Sequence, residues 1–477
     1  MKKQIQHIIL AAALLTGASA CNKYLDVKPE GKVLLTTFED YNKVINFTSI
    51  HIYPDAETRY LSDWAAINEI AIVGRDPSLA SISYLFEENR SRFPFLISGN
   101  DGTYGKAYGA ISRYNLILQN IDKITDGTAV QIARLKAEAR TLRAYVHFVM
   151  LNLYARPYNP ATASGDNSIC IKKDFDLETL EKPVTVAQAY DFIETELRQS
   201  VGDLAQFPDN AFHPSKAFGY GLLAKMHLYK REFAKAKEAA QQSLASNNYI
   251  FDLVKYYNEG QVEPVDIGMQ ENLYYGITGN TNNTPYTYTI SKEMVAMFGT
   301  QDTRMMALFS TTSPVVQNGS GTASFIKNVS GAGRYCYNAA GMRTTEVYLT
   351  LAECLCREGN VSEAMKLVND IRRKRMLPAG YVAATAATPA AALDTVLVER
   401  RKELLFGHNR FWDQRRLAQD PGHAVTVVRK FPVVVTTVPQ QTYTLQPGSH
   451  LYVIPFDRNV IINNPNIVQN TSDAMDL

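Results

Sequence analysis

Hydrophobic residues follow three patterns along this chain. An unbroken apolar run, Ile8 to Leu15, stands near the start. Through most of the remaining length apolar residues recur at helical spacing, as in Leu135, Ala139, Leu142, Val146 and Val149, in Phe218, Leu222, Met226 and Tyr229, and in Ala364, Leu367, Val368 and Ile371. From Val425 to Tyr452 β-branched residues alternate and Pro432 and Pro439 interrupt them, which predicts a short β-hairpin or two, and Tyr274-Tyr275-Gly276-Ile277 reads as a strand. The expected fold is mostly α.

Two of the helical stretches share a further spacing. Ala224 and Ala236 are 12 apart and Ala240 follows; Ala352 and Ala364 are 12 apart and Val368 follows. Tetratricopeptide hairpins place small residues at these intervals, where two helices press together. The copies lie 128 residues apart, so other structure is inserted between them. That insertion, about 250–340, is rich in Gly, Ser, Thr and Asn, and residues 50–103 are similarly irregular, with Pro54, Pro77, Pro94, Gly99 and Gly102. Long irregular stretches of this kind are commonly functional surface.

The N-terminal run has Lys2-Lys3 before it and Ala18-Ser19-Ala20 after it, directly ahead of Cys21. This is a secretory signal, too short to span a bilayer permanently. A cysteine immediately after the cut accepts a diacylglycerol in lipoprotein processing, although Ala18-Ser19-Ala20 would also serve the ordinary signal peptidase. The expected division is a lipoprotein signal peptide at 1–20, the lipidated Cys21 and a tether at 21–34, and a single body at 35–477. Within that body, 35–250 and 340–477 form a helical frame and 250–340 is the irregular insertion. No later segment is apolar enough to cross a membrane.

The whole chain carries 49 basic and 47 acidic residues; without Lys2 and Lys3 the two are equal. Such a neutral balance gives no reason to expect a nucleic-acid partner. Cys170, Cys336, Cys354 and Cys356 are too sparse for a disulfide framework and read as free thiols. Enzyme signatures are missing: there is no G-x-S-x-G elbow, P-loop or H-E-x-x-H, and Gly331-Ala332-Gly333 lacks its third glycine. Asp174-Phe175-Asp176-Leu177-Glu178 hints at calcium but lacks the turn glycine of an EF-hand loop. Glu399 and Glu403, one helical turn apart beside Arg400, Arg401, Arg410 and Asp413, read as a structural ion-pair network, because the cations favour the charged carboxylates and leave no proton donor. No catalysis, cofactor or metal is expected.

With these residues in view, the chain resembles the SusD/RagB family of Bacteroidetes surface lipoproteins over essentially its whole mature length. Cys21-Asn22-Lys23-Tyr24-Leu25-Asp26 with Pro29 is similar to the family's N-terminus. Glu138-Ala139-Arg140-Thr141-Leu142-Arg143-Ala144-Tyr145 through Leu153-Tyr154 resembles its most recognisable helix, which usually ends in Tyr-Gly-x-x-Pro; Ala155-Arg156-Pro157 departs from that ending. Asp302-Thr303-Arg304, Glu346 to Glu353, Glu399 to Arg416, Ile454-Pro455 and Asn463-Asn464-Pro465-Asn466 follow in the family's order.

The resemblance implies a SusD-like α-helical fold with four tetratricopeptide-like hairpins, irregular loops and short β-hairpins. It implies an outer-membrane lipoprotein, anchored by acyl chains such as palmitate on Cys21 and facing the exterior. Such a protein captures a glycan and delivers it to a SusC-like TonB-dependent transporter; capture of a peptide, as in the RagB branch, and a helical scaffold for another surface protein are the alternatives. Flat aromatics backed by hydrogen-bonding groups suit sugars. From the two irregular regions the candidate ligand residues are Trp64 with Tyr60 and Asp63, then Tyr84 and Arg90, and Tyr286 and Tyr288.

Overall fold

Most helices begin where a short polar side chain caps the first turn. The structure, a computed structural model, describes residues 35–67, 69–74, 76–87, 102–176, 178–260, 263–264, 266–278, 288–308, 321–324, 338–433 and 435–469. Helix α1 (Phe38–Ile45) starts at Thr37, and after three short helical segments at Ala56–Leu61, Glu69–Val73 and Ala80–Ser83 comes α2 (Gly102–Asn120). The longest helix, α3 (Ala129–Tyr154), opens with a capping box in which Thr128 and Gln131 satisfy each other's backbone N–H groups. It stops just before Arg156, which precedes Pro157 and is therefore biased away from the helical region. Strands β1 (Asn167–Cys170) and β2 (Pro183–Thr185) pair antiparallel before α4 (Val186–Ser200), which repeats the capping box with Thr185 and Gln188.

Helices α5 (Lys216–Tyr229), α6 (Phe233–Ser246) and α7 (Leu253–Glu259) come next. The insertion holds β3 (Asn272–Tyr274), β4 (Tyr288–Ser291) and β5 (Gly321–Ser324), and β6 (Met342–Arg343) returns to the helical frame. The frame continues with α8 (Thr344–Arg357), α9 (Val361–Arg373), α10 (Pro389–Glu403) and α11 (Asn409–Leu417). The expected tail hairpin is β7 (Val427–Phe431) against β8 (Gln441–Leu445), in continuous antiparallel register.

Sequence-adjacent helices pack face to face: α2 on α3, α3 on α4, α5 on α6, and α8 on α9. The alanine spacing marks two of these contacts. Ala224, Ala236 and Ala240 are buried between α5 and α6, and Ala352, Ala364 and Val368 between α8 and α9. Helix α6 also packs on α8, so the two hairpins are neighbours in space although the insertion separates them in sequence. From Thr141 to Tyr154 every residue of α3 is buried, making it the central helix.

One hydrophobic cluster runs from Tyr41 to Ile467. A second forms around the insertion and joins Trp64 and Ala65 to Phe251, Tyr256, Ile290, Met294 and Phe406. Strand β3 meets β6 through a close backbone approach, where a Cβ on Gly276 would lie 2.5 Å from the carbonyl carbon of Ala340. Only glycine fits there. Cys170, Cys354 and Cys356 are buried free thiols, with burial pushing Cys170 up to about 11 and the other two up to about 12.

Candidate functional site

The structure brings two of the sequence-selected regions together. Ala65 bridges Ile290, the Ser291 N–H donates to the Trp64 carbonyl at 2.7 Å, and Ser291 Oγ donates to the Asp63 carbonyl at 3.1 Å. Residues 60–65 and β4, which Tyr288 opens opposite Ser324, are therefore joined, with Trp64, Ala65 and Ile290 buried at the junction. Cys21, Arg90 and Tyr286 lie outside the described residues.

Three assignments need correction. Trp64 is 1% exposed and stands edge-on to Phe406, with ring centroids 5.6 Å apart, so its indole is core and offers no stacking face. Tyr84 is 3% exposed and belongs to the main cluster. Asp63 is an ion-pair residue: both its oxygens accept from Arg410, at 2.8 and 2.6 Å, and Arg401 adds a third contact at 3.0 Å. Burial alone would raise its carboxyl, but Arg410 and Arg401 outweigh burial and hold it below the usual range. Tyr60 remains half-buried, with the Arg59 guanidinium 5.0 Å from its ring centroid.

The carboxylates at 399 and 403 are locked in a buried network. Glu403 accepts from Arg375 at 2.8 Å and from Arg304 and Arg343 at 3.0 Å each, and Arg375 also reaches Glu271 at 3.0 Å. Glu399 takes Arg304 at 2.8 Å and Arg372 at 3.3 Å. Burial opposes the charge on both carboxyls, and the surrounding guanidinium groups overcome it, lowering Glu399 and holding Glu403 well below the usual range. Permanently ionised acids of this kind have no proton to give. Their work is structural, tying the insertion at Glu271 and Arg304 to α9 and α10.

Among the described residues Glu194, His227 and Glu232 form the one group with metal-ligand spacing. Lys230 already lies 3.7 Å from Glu194 and 3.4 Å from Glu232, so an ammonium supplies the cation that a metal would. At the calcium-like stretch, Asp176 Oδ1 accepts the Glu178 N–H at 2.8 Å and closes a local turn.

Two adjoining clefts, of about 340 and 270 Å³, open where α3 ends, and both are lined by Arg156, Asp166 and Val453. The sequence reading did not find them. One wall is the turn 159–166, in which the Asn159 side chain accepts the Ala161 N–H at 3.0 Å and Asp166 Oδ2 accepts from Thr162 Oγ1 at 2.6 Å. The opposite wall follows a turn closed by the Ser449 N–H on the Gln446 carbonyl at 3.1 Å. Pro447 and Gly448, the latter at φ 74°, hold the middle of that turn, and Ser449 and His450 leave it to line the larger cleft.

Arg415, from α11, lies under the larger cleft and donates to the carbonyls of Asn152 and Ala155 at the end of α3. Burial brings its guanidinium down to about 10. Tyr154 and Phe456, stacked at 5.1 Å, line the smaller cleft. Polar groups interleaved with apolar surface, at this volume, suit a small hydroxylated ligand.

Comparison with known proteins follows the same geometry. The SusD family model matches residues 317–472, and a second, for SusD-like proteins described as "Starch-binding associating with outer membrane", matches residues 23–228. The chain belongs to the SusD/RagB family. A SusD-like protein of Bacteroides ovatus is 25% identical over 227 residues, covering 46% of this SusD-family chain and 38% of that relative's own length.

Solved structures agree in fold across nearly the whole chain. A candidate sugar binding protein of Bacteroides vulgatus has a TM-score of 0.70 at 17% identity, covering 93% of this chain and 100% of that one. A SusD superfamily protein of Bacteroides thetaiotaomicron gives 0.67 at 19% identity, covering 91% and 100%. Surface glycan-binding protein A of Bacteroides uniformis gives 0.63 at 18% identity, covering 92% and 100%.

Proposed function

We propose that this SusD-family chain is a surface glycan-binding lipoprotein, anchored by acyl chains on Cys21 to the outer membrane. It captures an oligo- or polysaccharide and passes it to a SusC-like TonB-dependent transporter, without catalysis. The observation that carries this reading is the pairing of two SusD family matches, at 23–228 and 317–472, with a fold shared over 92% of the chain with a surface glycan-binding protein.

The physical arrangement supports it. A rigid helical frame holds clefts lined by short polar groups and backbone turns, which suits moderate-affinity capture rather than turnover. No helix among the described residues is long and apolar enough to cross a membrane, and in this reading the acylated Cys21 supplies the attachment. Tyr60 and Tyr288 remain ligand candidates, as do Arg90 and Tyr286, which lie outside the described residues.

A second reading, peptide capture, is favoured by one observation. Both tryptophans are core, Trp64 at 1% and Trp412 at 3% exposure, so neither offers an indole platform to a long polysaccharide. The test is retention of the full chain on immobilised polysaccharides and peptides, with co-purification of a TonB-dependent partner from outer membranes. Glycan retention with such a partner supports delivery; peptide retention alone replaces the glycan with a peptide.

A further inference from the structure

We propose that the paired clefts at the end of α3 bind an acidic saccharide, one carrying a uronate carboxylate; this deepens the glycan-binding reading and rests on it. The charge balance of the lining carries the inference. Two arginines, Arg156 and Arg415, line the larger cleft with one aspartate, Asp166, and Arg156 and Asp166 continue into the smaller one. Arg156 is exposed and has no ion pair among the described residues. Arg415 is 3% exposed and has no carboxylate partner among the described residues either; its hydrogen-bond acceptors are the Asn152 and Ala155 carbonyls.

That arrangement is unlike the other buried arginines nearby. Arg416, the next residue, is paired to Glu353 and Asp413 at 2.7 Å, and Arg400 to Asp413 at 2.8 Å. A helix C-terminus offers only about half an elementary negative charge, so the α3 carbonyls do not cancel the full charge of Arg415. The Nε of Arg415 has no hydrogen-bond partner. Asp166 cancels one charge, and the larger cleft keeps an excess of positive field. A half-open site with low-dielectric walls focuses such a field on its ligand.

The remaining lining fits a sugar better than a simple anion. Asn159, Thr162, Gln419 and Ser449 present short donors and acceptors, while Pro157 and Val453 offer apolar surface to a ring face. A uronate would place its carboxylate toward Arg156 and its hydroxyls against these groups. Two clefts that share a wall accommodate consecutive residues of an oligomer.

The experiment is calorimetric titration of the full chain in detergent with galacturonate, glucuronate and mannuronate oligosaccharides, each beside its carboxyl-reduced neutral counterpart. At least one acidic oligomer is expected to bind about tenfold or more tightly than its neutral counterpart, as loss of a charge-assisted hydrogen bond would give. The Arg156→Gln variant, whose position is exposed and whose unfolding midpoint is measured alongside, removes that preference. Asp166→Asn strengthens acidic binding, and added salt weakens it. Equal affinity for acidic and neutral partners, or a preference indifferent to Arg156→Gln, overturns the acidic-ligand assignment while leaving glycan capture standing. Absence of any saccharide binding, acidic or neutral, overturns both.

Discussion

Asp63 and Arg410 form a two-point ion pair, Nε to Oδ1 at 2.8 Å and Nη2 to Oδ2 at 2.6 Å, across 347 residues of sequence. The pair fastens the irregular segment before β4 to the arginine-rich helix α11. Replacing Asp63 with Asn leaves Arg410 without its anion. The expected loss is about 2–3 kcal/mol, below the value for a fully enclosed pair because the carboxylate is 18% exposed. Urea denaturation of D63N measures it, and a change under about 0.5 kcal/mol, typical of a surface pair, would show that the contact is incidental.

Trp64→Ala opens a cavity in the cluster around Phe406 and should cost about 3–5 kcal/mol. The wild-type chain should also resist acrylamide quenching of its tryptophan fluorescence, since both indoles are buried. Ready quenching would restore Trp64 as a surface residue and a ligand contact.

Stability should fall on acidification in two stages. His51, His147 and His408 are held neutral by burial, which depresses each from 6.5 to about 3. Their folded-state values lie below their unfolded ones, so the unfolded chain binds more protons and stability drops once the pH goes below about 6.5. Asp413 is lowered from 3.8 to about 2; burial resists its charge, and Arg400 and Arg416 overcome it. Its contribution is present above about pH 4 and is lost toward pH 2. Unfolding free energies measured between pH 7 and 3 test this, and a flat profile from 7 to 5 would contradict neutral burial of the three imidazoles.

Cys21→Ser should abolish incorporation of labelled palmitate and release the chain from the membrane fraction. Retention of the label in C21S would place the acyl chain elsewhere.

The helical frame was legible in the sequence because its signals are local. The stripe Leu135, Ala139, Leu142, Val146 and Val149 lies on one helix, and the alanines at 224, 236, 352 and 364 act within one hairpin each. Burial of Trp64 was not legible. The Pro- and Gly-containing segment around it reads as surface, and what covers it, Ile290 and Phe406, comes from residues more than 200 positions away. Arg415 was hidden differently. It adjoins Arg416 in the ion-pair helix, but successive helical residues point about 100° apart, so Arg416 reaches acids while Arg415 reaches the end of α3. The departure at Ala155-Arg156-Pro157 is the one visible signal of the clefts, because the turn at Gly448 that forms the opposite wall is remote in sequence.

Glycan capture is tested most directly by titrating the full chain, in one calorimetric series, with oligosaccharides and with peptides of matched length. Saturable binding of at least one oligosaccharide, recovered uncleaved and with no binding of the peptides, is the expected result. Peptide binding with no saccharide binding, or release of cleaved sugar during the titration, would contradict it.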